Sequence, residues 1–353
     1  MKHAQLFLAG ILAACSPSEK ASSADAVQAS AAPNPATSAE APASGPQLTF
    51  PVACVVGQTC EVQNYVDHDP GPGAKDFRCG TNTYDGHGGI DIRIHDMAAQ
   101  RAGVAVLAAA PGRVARLRDG VADVSVRTTG AAAVSGAECG NGVVVDHGDG
   151  WETQYCHLAK GSLKIAVGEQ VAAGQPLANI GLSGNTEYPH AHITVRHNSA
   201  MVDPFAPALA PAACDVGTGG RGMWRPQAAD AMAYKTGAVL NAGFADAPVS
   251  MDAIEAGGIT APTTASPMLV AYVRAINLHG GDVQELTIVG PDGRPVATGG
   301  QPPLDRAKAQ YMTFVGKRAT GAAWPKGEYR ATYVVRRGSE TAVSRTFSVR
   351  LGD

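Results

Sequence analysis

Between residues 48 and 214 the chain never sustains a long helical apolar period. Short runs of alternating or apolar residues recur instead, separated by glycine-rich turns. Residues 90–94 read Ile-Asp-Ile-Arg-Ile. Residues 103–110 are largely apolar, and Pro111-Gly112 turns them into 113–117. Residues 143–146 face 151–155 across Gly148-Asp149-Gly150, which is the signature of a hairpin. Val171 and the runs 177–180 and 193–196 complete the set. With 42 glycines in 353 residues, this period-two pattern predicts a mainly antiparallel β-sheet.

The flanks of this region differ from it. The N-terminus reads MKHAQLFLAGILAAC, with Lys2 ahead of an apolar run, residues 4–14, that is too short for a mature bilayer span. It fits a signal segment over 1–14. Leu12-Ala13-Ala14-Cys15 resembles a bacterial lipoprotein box, which implies cleavage before Cys15 and a lipid on its thiol. The alternative is a signal for soluble export. Ser16 stands where an aspartate would favour inner-membrane retention. In a Gram-negative cell this points to an outer-membrane lipoprotein facing the periplasm. Residues 15–47, mostly Ala, Ser and Pro, read as a disordered tether.

Setting Cys15 aside leaves six cysteines, all between 54 and 214, an even set that suits three disulfides in an exported domain. In the hairpin, Cys156 falls near Gly142, which brings Cys139 within reach of it. The pairing of Cys54, Cys60, Cys79 and Cys214 stays open. Residues 215–265 read as a connector, with one short helix expected over 228–239. Residues 266–353 show several strand-like runs with turns such as Gly290-Pro291-Asp292-Gly293, and predict a small immunoglobulin-like sandwich. The net charge of −3 offers no basic face for nucleic acid.

Three histidine contexts carry the chemistry. In HGGIDIR, an extended chain puts His87 and Asp91 on one face and Ile90, Ile92 and Ile94 on the other. In YPHAHITVRH, His190 and His192 share a face in the same way. In WETQYCHL, His157 ends the second arm of the hairpin. Each has a plain structural reading: a polar strand edge, solvated strand histidines, a hydrogen-bonded lone histidine. There is no His-Glu-x-x-His and no Gly-x-Ser-x-Gly, so neither a helix-borne zinc site nor a serine nucleophile is indicated.

In this order, and with the flanks NGVVVDHGDGWETQYCHL, VGEQVAAGQPLANIGLSGN and Asp203-Pro204, the three motifs resemble the LytM/lysostaphin-type zinc metallopeptidases, peptidase family M23. The similarity covers about residues 85–206, a third of the chain. It implies that residues 48–214 form an antiparallel peptidase domain. His87, Asp91 and His192 would bind Zn²⁺ and leave a position for water. His157 and His190 would be catalytic, with their division of labour open. The implied substrate is peptidoglycan, reached from a membrane-anchored tether; protein regulators are unidentified. Asn141 would border the substrate groove, or simply make an Asn-Gly turn. Glu187 is an alternative base, and His68, in Asp67-His68-Asp69, a candidate to block the zinc site. Two rival functions keep the fold: a non-catalytic cell-wall regulator, and a zinc endopeptidase that cuts a protein.

Overall fold

The computed structural model describes residues 45–210, 212–217, 221–321 and 323–352. The expected signal segment, Cys15 and most of the expected tether lie outside the described residues. Ten strands come first: β1 (Cys60–Asn64), β2 (Ile90–Ile94), β3 (Ala105–Leu107), β4 (Gly112–Arg118), β5 (Asn141–Gly148), β6 (Trp151–Leu158), β7 (Gln170–Val171), β8 (Pro176–Asn179), β9 (His190–His197) and β10 (Ala200–Val202). One antiparallel sheet runs β1-β2-β9-β6-β5-β4-β7, with β10 paired to β9 and with β3 and β8 paired apart from it. Helices are short: α1 (Met97–Ala102), α2 (Val126–Thr129), α3 (Pro226–Ala231) and α4 (Met251–Ala256). The mainly antiparallel class expected from the period-two pattern is the one observed.

Local sequence explains the hairpins. Asp149 and Gly150 both take positive φ, 50° and 77°, the two-residue turn whose twist matches that of the flanking strands. Asn198 and Ser199 do the same between β9 and β10, at 49° and 68°. Alternation then sorts the faces. Ile90, Ile92, Ile94, Val143, Val145, Tyr155, Ile193 and Val195 are buried in one core. Asp91 and Arg93 on β2, and His190 and His192 on β9, fall on the opposite face.

The core reaches beyond residue 214. Met223, Trp224, Ala228 and Met232 belong to it, and Leu48 is hydrogen-bonded to the same segment through Met223 O and Arg225 N. The expected helix over 228–239 is shorter and earlier. Pro226 starts it at its first turn, and it is over by Ala231. Gly237 then leads into β11 (Ala238–Ala245), so the expected connector supplies a strand to the second half of the molecule.

That second half contains β11, β12 (Met268–Leu278), β13 (Val283–Val289), β14 (Pro295–Gly300), β15 (Lys308–Arg318), β16 (Gly327–Arg337) and β17 (Glu340–Leu351). Sheets β11-β12-β15 and β14-β13-β16-β17 enclose a core that includes Leu269, Val273, Leu286, Ile288, Tyr329 and Tyr333. A constant-type immunoglobulin domain places its fourth strand with the first, second and fifth. Here β14 lies beside β13 in the other sheet, so the arrangement is a seven-stranded sandwich to which the immunoglobulin-like expectation does not simply transfer.

Three disulfides join Cys54 to Cys60, Cys79 to Cys214 and Cys139 to Cys156. Such a set suits an oxidising compartment. The stretch between β1 and β2 is fastened further by aromatic contacts, with Tyr65 edge-on to Phe77 and Phe205 at centroid distances of 5.4 and 5.0 Å. His68 sits in this stretch, and its Nε2 lies 2.9 Å from Asp203 Oδ2. Its side chain is spent on that pair and takes no part in the histidine cluster, against the expectation that it could block a zinc site.

The hydrogen bond from His68 to Asp203 is the main cause that raises the imidazole above its ordinary value of 6.5. His68 therefore holds its proton more tightly folded than unfolded. The stabilisation is complete below the unfolded value and is lost as pH rises through the folded one. Replacing Asp203→Asn should lower stability to urea more at about pH 5.5 than at about pH 8.5; an equal loss at both would show that the pair does not titrate.

Candidate metal centre

Register brings the site together. Asp91 on β2 is opposite His192 on β9, and His192 is opposite Cys156 on β6. Arg93 is opposite His190. His87 precedes β2 in a loop instead of extending the strand as alternation suggested. Its carbonyl accepts from Asp67 N and its own N–H donates to Tyr84 O. Gly89 makes the close approach possible: a Cβ there would lie 2.4 Å from Ile193 O and 2.8 Å from His192 Nε2.

Three ligand atoms converge. His87 Nε2 lies 3.1 Å from Asp91 Oδ1 and 3.1 Å from His192 Nδ1, and His192 Nδ1 lies 2.8 Å from Asp91 Oδ1. Nitrogen and oxygen donors about 2.0–2.1 Å from a tetrahedral zinc stand about 3.3–3.4 Å apart, a triangle only slightly wider. Partner chemistry sets the tautomers. His87 Nδ1 faces Tyr65 O at 2.7 Å, and a carbonyl only accepts, so Nδ1 carries the proton and Nε2 the lone pair. Thr194 Oγ1 donates to Gly88 O at 2.8 Å and so can accept from His192 Nε2, 3.1 Å away. That leaves the His192 Nδ1 lone pair aimed inward. Two imidazole lone pairs and a carboxylate oxygen meeting at such distances repel one another unless a cation lies among them. The donor set therefore fits a divalent metal, and His87, Asp91 and His192 form a potential metal site.

Asp91 is almost wholly buried. Burial by itself would raise its carboxyl, but the surrounding imidazoles of His87, His190 and His192 hold it well below the usual carboxylate range. Its second oxygen accepts from Asn64 Nδ2 at 2.8 Å. Burial lowers His192, and Asp91 only partly offsets it.

Two further imidazoles stand next to the triad. His157 and His190 have ring centroids 4.7 Å apart, and His157 and His192 5.9 Å. His157 Nδ1 donates to Ser183 O at 2.8 Å. Burial first, then the neighbouring His190 and His192, push His157 well below the ordinary histidine value, so its Nε2 is a lone pair at neutral pH. His190 Nδ1 lies 3.0 Å from Tyr188 O and 3.2 Å from Thr186 Oγ1, and its Nε2 is 3.3 Å from Asp91 Oδ1. A groove of about 330 Å³ opens on the cluster, walled by Tyr84, Glu138, Gln154, Asn185 and Arg196.

The five residues singled out by motif thus lie in one cluster. Asn141 does not border the groove: it is fully buried, donating to Val121 O and Leu158 O and accepting from Val121 N, so its amide fixes backbone. Glu187 is half exposed and paired with Arg127 at 2.8 Å, which leaves no place for it as a base in the cluster. Sequence reasoning missed Thr194 and Asn64. Thr194 was within reach, since it continues the alternation of His190 and His192. Asn64 carried no signal, because its strand lies outside the motif region.

Residues 85–204 match the family model for peptidase family M23. Over those residues, about a third of the chain, it is similar to peptidase family M23. That likeness supports a peptidase. Among curated proteins, the cell division protein DipM of Caulobacter vibrioides is 37% identical over 73 residues, which cover 20% of this chain and 12% of that protein. The chain thus spans a small part of that relative. Among solved structures, a mutant catalytic domain of the prophage-encoded M23 protein EnpA from Enterococcus faecalis is 21% identical, with 42% of this chain and 92% of that one covered at a TM-score of 0.30. The catalytic domain of lysostaphin from Staphylococcus simulans is 20% identical, with 40% and 85% covered at a TM-score of 0.26.

In this site the Thr194 hydroxyl fixes the tautomer and the ring of a potential ligand. Losing such a partner typically weakens metal binding about 10- to 100-fold. Thr194→Val should show that loss in zinc competition titrations, and unchanged affinity would mean that the hydroxyl does not orient His192.

Proposed function

We propose that this protein is a zinc-dependent endopeptidase that hydrolyses peptide bonds in peptidoglycan stems or cross-links. The observation that carries the reading is the three inward lone pairs of His87, Asp91 and His192, flanked by two more imidazoles whose Nδ1 atoms are tied down. A zinc ion held by His87, Asp91 and His192 would supply Lewis acidity and lower the pKa of a water toward about 7.

The chain's own histidines then divide the proton chemistry. His157 Nε2, uncharged and facing the site, accepts a proton from the attacking water. His190 has its Nδ1 proton turned to Tyr188 O, and its Nε2 is beside Asp91. Carrying a second proton on that atom, beside the carboxylate, the ring would donate toward the developing oxyanion and then pass that proton to the leaving amine. The groove offers Arg196, Glu138, Gln154 and Asn185 to a polar peptide. The lipoprotein box at Cys15, the tether over 15–47 and the disulfides support an anchored protein working in the periplasm, facing the wall from the outer membrane. The likeness to a cell division protein fits such a substrate.

A non-catalytic wall regulator on this fold would have no need of the two additional imidazoles, and here both are present and oriented. His192→Ala should lose zinc and hydrolysis together. His157→Ala should keep zinc and lose about 100- to 10,000-fold in rate, the usual contribution of a general base. Mass spectrometry of fragments released from purified sacculi reads both variants and the bond cut. Wild-type, zinc-loaded protein that releases no fragments from sacculi but cleaves a glycine-rich protein would replace the substrate; one that cleaves neither would end the proposal.

A further inference from the structure

The sandwich and the peptidase sheet belong to one compact unit, and they meet through a buried charge cluster. Arg93 and Arg274 are both fully buried. Arg93 lies on β2, two residues beyond Asp91 and on the same face. Arg274 lies on β12 of the sandwich. One carboxylate oxygen, Glu255 Oε2 on α4, accepts from both: from Arg93 Nη2 at 2.6 Å, and from Arg274 Nη1. Arg274 is held in turn by Asn241 Oδ1 at 3.1 Å and by His95 O.

From Arg93 two paths lead to the cluster of histidines. The guanidinium lies under the ring of Tyr188, 3.8 Å from its centroid. Tyr188 O is the acceptor for His190 Nδ1. Arg93 Nη1 also donates to Gln63 Oε1 at 2.9 Å. Gln63 Nε2 and Asn64 Nδ2 both donate to the Tyr188 hydroxyl, at 3.1 and 3.3 Å, and Asn64 Nδ2 also donates to Asp91 Oδ2. The sandwich adds a second hold on the same strand, with Asn277 Nδ2 donating to Gln63 O at 2.7 Å.

We propose that Glu255 is a positioning residue through which the C-terminal sandwich sets the orientation of His190 and Asp91. The inference rests on the reading of His190 as a working group of the site. Its physical basis is that two buried guanidinium ions tolerate each other only with an anion between them. With Glu255→Gln, an amide N–H₂ replaces one carboxylate oxygen or leaves one arginine with a weaker partner. Arg93 is then displaced, and Tyr188, which rests on it, moves with the His190 acceptor. The sandwich on this view is a structural part of the active site, distinct from a separate wall-binding module.

The test uses the full-length chain. Glu255→Gln should lower kcat about tenfold or more, since displacements on the order of 1 Å at a catalytic group cost up to about 100-fold. KM and zinc content should stay close to wild type. The charge-balanced double variant Glu255→Gln/Arg274→Gln should recover most of kcat. An independent readout is the imidazole ¹H–¹⁵N spectrum, in which the His190 Nδ1–H signal should be protected in wild type, lost in the single variant and regained in the double. Wild-type kcat in Glu255→Gln overturns the inference, as does a loss that the double variant fails to recover. If wild type cleaves no substrate, the peptidase reading fails, and the imidazole spectrum alone decides the positioning role: an unchanged His190 signal in Glu255→Gln rejects it.

Discussion

A carboxylate without solvent has to be compensated, and Asp91 is compensated almost entirely by histidine. One of its oxygens lies within hydrogen-bond range of His87, His190 and His192, and the other takes Asn64. An isolated buried anion of this kind costs several kcal/mol. The sheet's register, the loop that carries His87 and the small residue at Gly89 can be understood as the means of bringing enough positive or metal-ready partners to that oxygen. Each imidazole is then fixed from behind by an oxygen: Tyr65 O, Thr194 Oγ1, Tyr188 O or Ser183 O. The result is a set of rings whose inward atoms are decided before any ligand arrives.

His157 shows what this arrangement demands of the backbone. Its φ is +60°, a conformation that side chains other than glycine rarely adopt. Strict alternation along β6 would put His157 on the core side with Tyr155. The left-handed turn takes it out of that pattern. His157 N donates to Cys139 O and His157 Nδ1 to Ser183 O, while the Cys139–Cys156 bond ties the preceding residue to the same loop. Conformational strain of this type, typically about 1–3 kcal/mol, persists only where the surroundings over-determine it.

Much of this was legible in the sequence because it is written in period two. The shared face of His190 and His192, the opposite face of Ile90, Ile92 and Ile94, and the Asp149-Gly150 turn all follow from alternation and turn chemistry. What was not legible depended on tertiary contacts. Alternation predicts a strand through His87, but it belongs to a loop shaped by Tyr65 and Tyr84. Asn141 suits either a groove border or an Asn-Gly turn by sequence, and its amide is used up by Val121 and Leu158. The strand at 238–245 was hidden by the apolar residues before Gly237, which suit a helix until a partner strand is available. The Arg93–Glu255–Arg274 cluster brings Arg93 to a carboxylate 162 positions away and has no local signature.

The contact between Asn277 and Gln63 has a consequence for how the molecule behaves in company. β1 is one margin of the eight-stranded sheet, and an open margin presents unpaired carbonyl and amide groups that invite another chain to add a strand. At Gln63 the carbonyl is taken by the Asn277 side chain, and at Gly57, just before the strand, by Arg345. The opposite margin, β7, is two residues long and gives an incoming strand little to pair with. These caps make the β1 margin a poorer template for an incoming strand.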